Sequence, residues 1–229
     1  MKYLIIGLGH YGSMLAMELT AMGHEVAGVD GNSLHVDSVK DCMAASFVLD
    51  ATDETALSVL PLKSVDAAIV AIGDNFGASV RIVSLLKKLK VKRIYARAVD
   101  EVHKAVLEAF SIDRILTPEQ DAARLLAQQL ELDGGAELFQ IDENTYVFKF
   151  VVPSRLVGYH LNELNLEQEF GIKLISLIKG KQIQNFLGIS VFEREVSNAF
   201  PEDYALQQGD GLVCYGPYSR FMQFWKSVR

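Results

Sequence analysis

The stretch KYLIIGLGHYGSMLAMELTAMGHEVAGVD, residues 2 to 30, restricts this chain more than any other. Within it, GLGHYG fits G-x-G-x-x-G at Gly7, Gly9 and Gly12. Glycine triplets arise by chance; this one gains weight from its surroundings. A short apolar strand runs in, a helical pattern runs out, and Asp30 ends the next strand. Gly7 permits the tight turn from strand to helix, Gly9 removes the side chain that would block a close phosphate, and Gly12 lets the helix approach the sheet. The amide groups and dipole at the helix start attract phosphate oxygens, which puts Leu8, His10 and Tyr11 of the same turn at the ligand. Asp30 would accept hydrogen bonds from a ribose diol and repel a 2′-phosphate, which disfavours NADP, and Asn32 stands beside it. The spacing predicts a bound nucleotide.

The rhythm of residues 1 to about 118 agrees with that reading. Apolar strands at YLII (3–6), EVAGVD (25–30), SFVLD (46–50), DAAIVAIG (66–73), RIYARA (93–98) and DRIL (113–116) alternate with helical patterns. The helices are expected over Tyr11 to Met22, around 33–43, from Asn75 to Lys90 and over DEVHKAVLEAF (100–110), with ETALSVL (54–60) between the third and fourth strands. Tyr11, Leu15, Leu19 and Met22 share one face of the first helix. Strands this apolar are buried on both faces, and the alternation builds a parallel sheet. The expected fold class is α/β, a Rossmann-like, doubly wound, six-stranded parallel sheet.

Ligands in such sheets sit outside the carboxyl ends of the strands. Asp50, Ala51 and Thr52, where the third strand ends in LDATDE, are expected along the adenine edge. Ala71, Ile72 and Gly73, ending the fourth strand, are expected to pass close to ribose and phosphate, with Asn75 opening the following helix. Helix capping by Asp53 and Asn75 is compatible with these roles.

PEQDAARLLAQQLEL (118–132) reads as one more helix, with Pro118 in its first turn. It either packs as a linker on its own sheet or crosses to a neighbouring subunit. DGG (133–135) marks a boundary between units 1–133 and 136–229. Strands dominate the second unit: ELFQI and TYVFKFVV (137–152), IKLISLIKG (172–180), QNFLGI (184–189) and LVCYG (212–216). A short helix near 162–170, a GDG turn (209–211) and a helical tail from Tyr218 complete a small α+β lobe.

Composition narrows the function classes. Half of the 229 residues are hydrophobic and 22% are charged, as in a globular protein with a core. The net charge of -7 and pI near 5.3 argue against nucleic-acid and anionic-lipid partners. The basic run KKLKVKR (87–93) reads as a solvated helix end. No secretory signal and no run of about 18 uncharged apolar residues is read, so a membrane role would pass through a partner. Cys42 and Cys214 lie far apart without metal spacing; both read as small core residues in a reduced cytoplasmic setting.

GLGHYG, Asp30, LDATDE, VAIGDNFGASV, RIYARAVDEVHKAVLEAF and ILTPEQDAARLLAQQL follow one another as in RCK domains. The chain resembles the cytosolic regulatory subunits of bacterial Trk- and Ktr-type potassium uptake systems, the KtrA-like ones especially. Residues 1 to about 132 correspond to the RCK N-terminal domain with its crossover helix, and the second unit to the RCK C-terminal lobe. The resemblance implies that the cleft holds ATP, ADP or NAD(H). It also implies self-assembly through dimers into an eight-subunit ring on a membrane-embedded potassium channel or transporter, at the inner face of the cell membrane. Nucleotide exchange would change the ring's shape and gate the pore. It further implies that Arg97 lies near the phosphates, that Glu119 joins a cation site between paired subunits, and that the second lobe binds cyclic di-AMP. Relatives commonly carry arginine where this chain has His10. Histidine is shorter and lacks the bidentate fork, which shifts weight toward NAD(H) or an adenine nucleotide read differently.

The rival reading is a small NAD-dependent oxidoreductase, which needs a proton-transferring group facing the cleft and substrate-orienting residues from a second domain. The second unit offers His160 and Arg155 but no evident acid–base pair. His160 reads as a surface or capping residue and His103 as an unremarkable helix residue. His24 sits in the turn after the first helix, and His35 near the start of the second. No Walker lysine follows the glycine loop. The expectation is a ligand that is read, not converted.

Overall fold

The computed structural model describes residues 1–133, 135–184, 190–197, 201 and 203–228. The chain divides into two compact units, Met1–Asp121 and Ala122–Arg229.

The first unit alternates strand and helix: β1 (Lys2–Ile6), α1 (His10–Ala21), β2 (Glu25–Asp30), α2 (Ser33–Val39), β3 (Ala45–Val48), α3 (Glu54–Ser58), β4 (Ala67–Val70), α4 (Phe76–Lys88), β5 (Ile94–Arg97), α5 (Glu101–Ala109) and β6 (Arg114–Leu116). The six strands pair in the order β3-β2-β1-β4-β5-β6, every pairing parallel. The strand residues explain why both sheet faces are covered. Leu4 and Ile6 of β1 join one core with Ala68 and Val70 of β4, while Ile5 and Ile69 point to another. Helix α1 covers the second of these cores through Ala16, Tyr11, Leu15 and Leu19. Ile82, Val83 and Leu86 of α4 and Leu107 of α5 fill the first. Met22, expected on the buried face of α1, is 68% exposed because it caps the helix, where the chain turns away.

Asx residues start four of these helices. Asn32, Asp53, Asn75 and Asp100 accept from Leu34, Thr55, Ala78 and His103 amides at 3.0, 2.7, 2.9 and 2.7 Å. Each such cap contributes about 1 kcal/mol. Helix α1 begins instead at Gly9, with no side-chain cap. Lys87 and Lys88 of the basic run lie in the last turn of α4, where Lys87 donates to the Ser111 carbonyl and Lys88 to Glu54.

A further helix, α6 (Pro118–Glu131), contains the division between the units. Its last residues belong with the second unit by their contacts. Gln128 donates to the Tyr146 hydroxyl at 3.1 Å, Glu131 accepts from the Tyr218 hydroxyl, and Leu132 is buried in the second core.

The second unit comprises β7 (Ala136–Gln140), β8 (Thr145–Val151), α7 (Leu166–Phe170), β9 (Lys173–Gln184), β10 (Ser190–Ser197), β11 (Gly211–Pro217) and α8 (Tyr218–Val228). Its sheet runs β10-β9-β11-β8-β7 and is antiparallel throughout. Strand β8 alternates, burying Tyr146, Phe148 and Phe150 on one face. Helix α8 lays Phe221, Met222, Phe224, Trp225 and Val228 against them, the spacing of an amphipathic helix. Phe148 and Phe221 stack with centroids 3.8 Å apart, and Phe150 meets the Trp225 ring at 5.4 Å. Gly209 in the GDG turn has φ +91°, which a side chain resists. Asp210 beside it is buried, and its carboxylate accepts from the Gly180 amide, the Gln207 amide and the Tyr204 hydroxyl at 3.1, 2.9 and 3.0 Å. Burial, helped by that carboxylate, pushes the Tyr204 hydroxyl up to about 12. Strand β10 was not anticipated from the sequence, and QNFLGI beyond Gln184 lies outside the described residues.

One further expectation about a single residue needs correcting. Cys42 is exposed, because it closes a 3-10 turn (Lys40–Cys42) after α2 rather than continuing that helix into the core. Cys214 is buried as expected, and burial raises its thiol to about 12. His103 is fully buried, its Nε2 3.2 Å from Ser79 Oγ and its ring edge-on to Phe76 at 5.0 Å. Burial lowers its pKa from 6.5. Among the described residues no helix is long and apolar enough to cross a membrane.

Candidate functional site

Strands β1 and β4 are neighbours in the sheet but lead to helices on opposite faces, so their carboxyl ends part and leave a crevice. A cleft of about 760 Å³ lies there, within the range of small-molecule sites. Its lining includes thirteen residues expected from the sequence: Gly7, Gly9, His10, Asp30, Asn32, Asp50, Ala51, Thr52, Ala71, Ile72, Gly73, Asn75 and Arg97.

The three glycines divide their tasks as their geometry demands. Gly7 has φ +95°, and a β-carbon there would meet Ile72 at 2.9 Å. A β-carbon on Gly12 would lie 1.8 Å from the Gly7 carbonyl oxygen, so α1 can approach the loop only at a glycine. At Gly9 a β-carbon would meet nothing within 4 Å. Gly9 therefore answers no packing demand, and the space above it opens on the cleft.

Asp30 does more than line the cleft. Its Oδ2 accepts from the Leu8 amide at 2.7 Å and its Oδ1 from the Asn32 amide at 2.8 Å, while His35 Nδ1 stands 3.2 Å from Oδ2. One carboxylate thus ties the glycine loop to the end of β2 and the start of α2. Charge-assisted bonds of this kind are the strong ones. Asp50 is oriented in the same manner: Oδ1 accepts from the Thr52 hydroxyl at 2.7 Å and the Thr52 amide at 2.9 Å. The hydroxyl first, then the amide, hold its carboxyl below the usual range. Arg81 fixes the segment from behind, donating to the Thr52 carbonyl at 2.8 Å.

Arg97, the last residue of β5, is the sole lysine or arginine among the described lining residues. Its guanidinium occupies the space a Gly73 side chain would need, 2.6 Å from that β-carbon position. It lies 5.6 Å from the centroid of the Tyr11 ring, a cation–π distance, and forms an ion pair with Glu119 in the first turn of α6. Burial raises the Tyr11 pKa, with the Arg97 charge opposing it.

Three residues expected at the cleft do not line it. Leu8 is buried, and its backbone amide serves Asp30. Gly12 is buried under the loop, and Tyr11 carries Arg97. Glu119 reaches the site only through Arg97, and no cluster of three potential metal ligands occurs among the described residues. His35, Asp74, Ala78 and Ile82 line the cleft without having been anticipated. For His35 a signal existed. It is the third residue of a helix capped by Asn32, and side chains at that position reach back toward the cap. His160 caps the 3-10 turn Leu161–Leu164, its amide donating to Glu163 at 2.8 Å, as a capping residue should.

The TrkA-N domain model matches residues 3–118, half of the chain. This protein belongs to the TrkA-N family of Ktr and Trk potassium uptake proteins. Within that family it is 30% identical over 227 residues to Ktr system potassium uptake protein C of Bacillus subtilis (strain 168), covering 99% of this chain and 97% of the relative. Ktr system potassium uptake protein A of the same organism is 30% identical over 176 residues, covering 77% and 79%. Among solved structures, the GsuK channel bound to NAD superposes with a TM-score of 0.57 at 15% identity, covering 99% of this chain and 39% of that one. That likeness speaks for an RCK-type fold, which the Ktr/Trk chain shares across both of its units.

Proposed function

We propose that this chain is a cytosolic regulatory subunit whose cleft binds an adenine nucleotide, ATP, ADP or NAD(H), and whose occupancy gates a membrane potassium channel or transporter. One observation carries the reading. The open space at Gly9 stands over the start of α1, beside a carboxylate that already fixes the loop. Phosphate then meets backbone amides and the helix dipole, and the ribose meets Asp30. The Ktr relatives support the potassium partner by what their names say, and the NAD-bound GsuK channel supports a nucleotide in this fold.

In this reading the ligand is held and released unchanged. His35 Nδ1 is engaged with Asp30 Oδ2 at 3.2 Å, and Asp30 is further occupied by the Leu8 and Asn32 amides, which supports a structural role for this pair. Regulation needs only a difference in nucleotide affinity between two conformations, typically about 1–3 kcal/mol per coupled site. Assembly as dimers within a ring on the inner face of the membrane would add these terms. A cation between paired subunits at Glu119, and cyclic di-AMP in the second lobe, are further effectors of the same proposal.

The test is calorimetric titration of the full chain with ADP and NADH. Gly9→Asp, which puts a carboxylate into space the protein does not use, is expected to fold and to lose binding. Wild-type affinity in that variant refutes the cleft assignment. Steady oxidation of NADH with carbonyl substrates would refute the regulatory reading in favour of an oxidoreductase.

A further inference from the structure

We propose that Glu119 is a built-in anionic competitor for Arg97, the cationic side chain of the cleft lining, so that the cleft selects ligands whose phosphate can displace it. The inference rests on the nucleotide reading above and adds a determinant of selectivity to it. In the structure, Arg97 Nη2 and Nε face the two carboxylate oxygens of Glu119, Nε at 3.4 Å from Oε2. This is the side-on fork with which a guanidinium also grips two phosphate oxygens. A phosphate and this carboxylate therefore claim the same donors.

The two partners are unequally committed to the pair. The Arg97 side chain is only 19% exposed, held between the Gly73 backbone and the Tyr11 ring. The Glu119 side chain is 60% exposed and lies in the first turn of α6, where the helix dipole favours a carboxylate even without a partner. Loss of the pair leaves Glu119 hydrated, whereas Arg97 needs a replacement anion. A ligand phosphate in the cleft supplies one; a neutral nucleoside does not. Arg97 then exchanges Glu119 for phosphate in place, and the freed carboxylate marks the occupied state at the start of α6.

The experiment is titration of the full chain, in chelator to remove divalent cations, with adenosine, ADP and NADH. Wild type, Glu119→Gln, Arg97→Gln and the double variant are compared. Ion pairs with one exposed partner, as Glu119 is, are weak, so removing the competitor is expected to tighten ADP about three- to fivefold. Adenosine affinity stays unchanged, and Glu119→Gln gives no gain on the Arg97→Gln background. Unchanged or weaker ADP binding in Glu119→Gln overturns the proposal, as does a gain that persists without Arg97. If wild type retains none of the three probes, the cleft reading itself falls, and that result is separable from the others.

Discussion

The first unit buries aliphatic side chains and the second a cluster of aromatic ones, and the two treat their polar groups in opposite ways. In the first, the carboxylates of Asp30 and Asp50 are anchored on one side by backbone amides and open on the other to a cleft. In the second, Asp210 is closed off by three donors and faces nothing outside. An acid held by part of its hydrogen-bonding capacity can still accept a ligand, whereas an acid with all directions filled fastens a turn. Parallel strands make the first arrangement natural, because their carboxyl ends collect on one edge. The antiparallel lobe instead spends its sequence on one aromatic face.

The contrast can be broken most forcefully in the aromatic core. Phe221→Ala removes a ring stacked on Phe148 and should lower the second unit's stability by about 3–5 kcal/mol, read by denaturant unfolding. Nucleotide affinity should stay at the wild-type value; a parallel loss of binding would deny the units their separate roles. Gly12→Ala comes next. Its methyl group collides with the Gly7 carbonyl, so the loop must shift, at a cost of about 1–3 kcal/mol together with loss of nucleotide binding. Gly9→Asp, by contrast, should lose binding with little change in melting temperature.

A smaller effect concerns pH. Burial lowers the His103 pKa from 6.5, so the unfolded chain takes up the proton first. Stability from this group is complete above that value and declines as pH falls through it, until the folded form protonates too. His103→Gln keeps a hydrogen-bonding partner for Ser79 and should flatten the melting temperature over that interval. An unchanged pH dependence would remove His103 from the account. Smallest of all, Lys149→Gln cuts an exposed pair with Glu137 on the outer face of the second sheet and should change stability by no more than about 0.5 kcal/mol.

Sequence made the first unit legible because its signals are local. A glycine's freedom, an Asx cap and an apolar strand each act within a few residues, and the strand order follows from their succession. Most of the cleft followed from strand ends alone. His35 and Asp74 escaped because they enter through the turn of a helix start rather than a strand end. In the second unit, β10 escaped because its mixed SVFEREVS pattern carries charge on a strand that pairs only with β9 at the sheet edge. The buried state of His103 was hidden for another reason: only tertiary packing of α4 on α5 decides it.

The Asp30 bonds to Leu8 and Asn32 have a temporal meaning. In the proposed reading, a phosphate entering this cleft would meet a loop that Asp30 already holds in place. Filling and emptying would then keep step with a changing supply of ligand, which is what a gauge requires and a storage site does not.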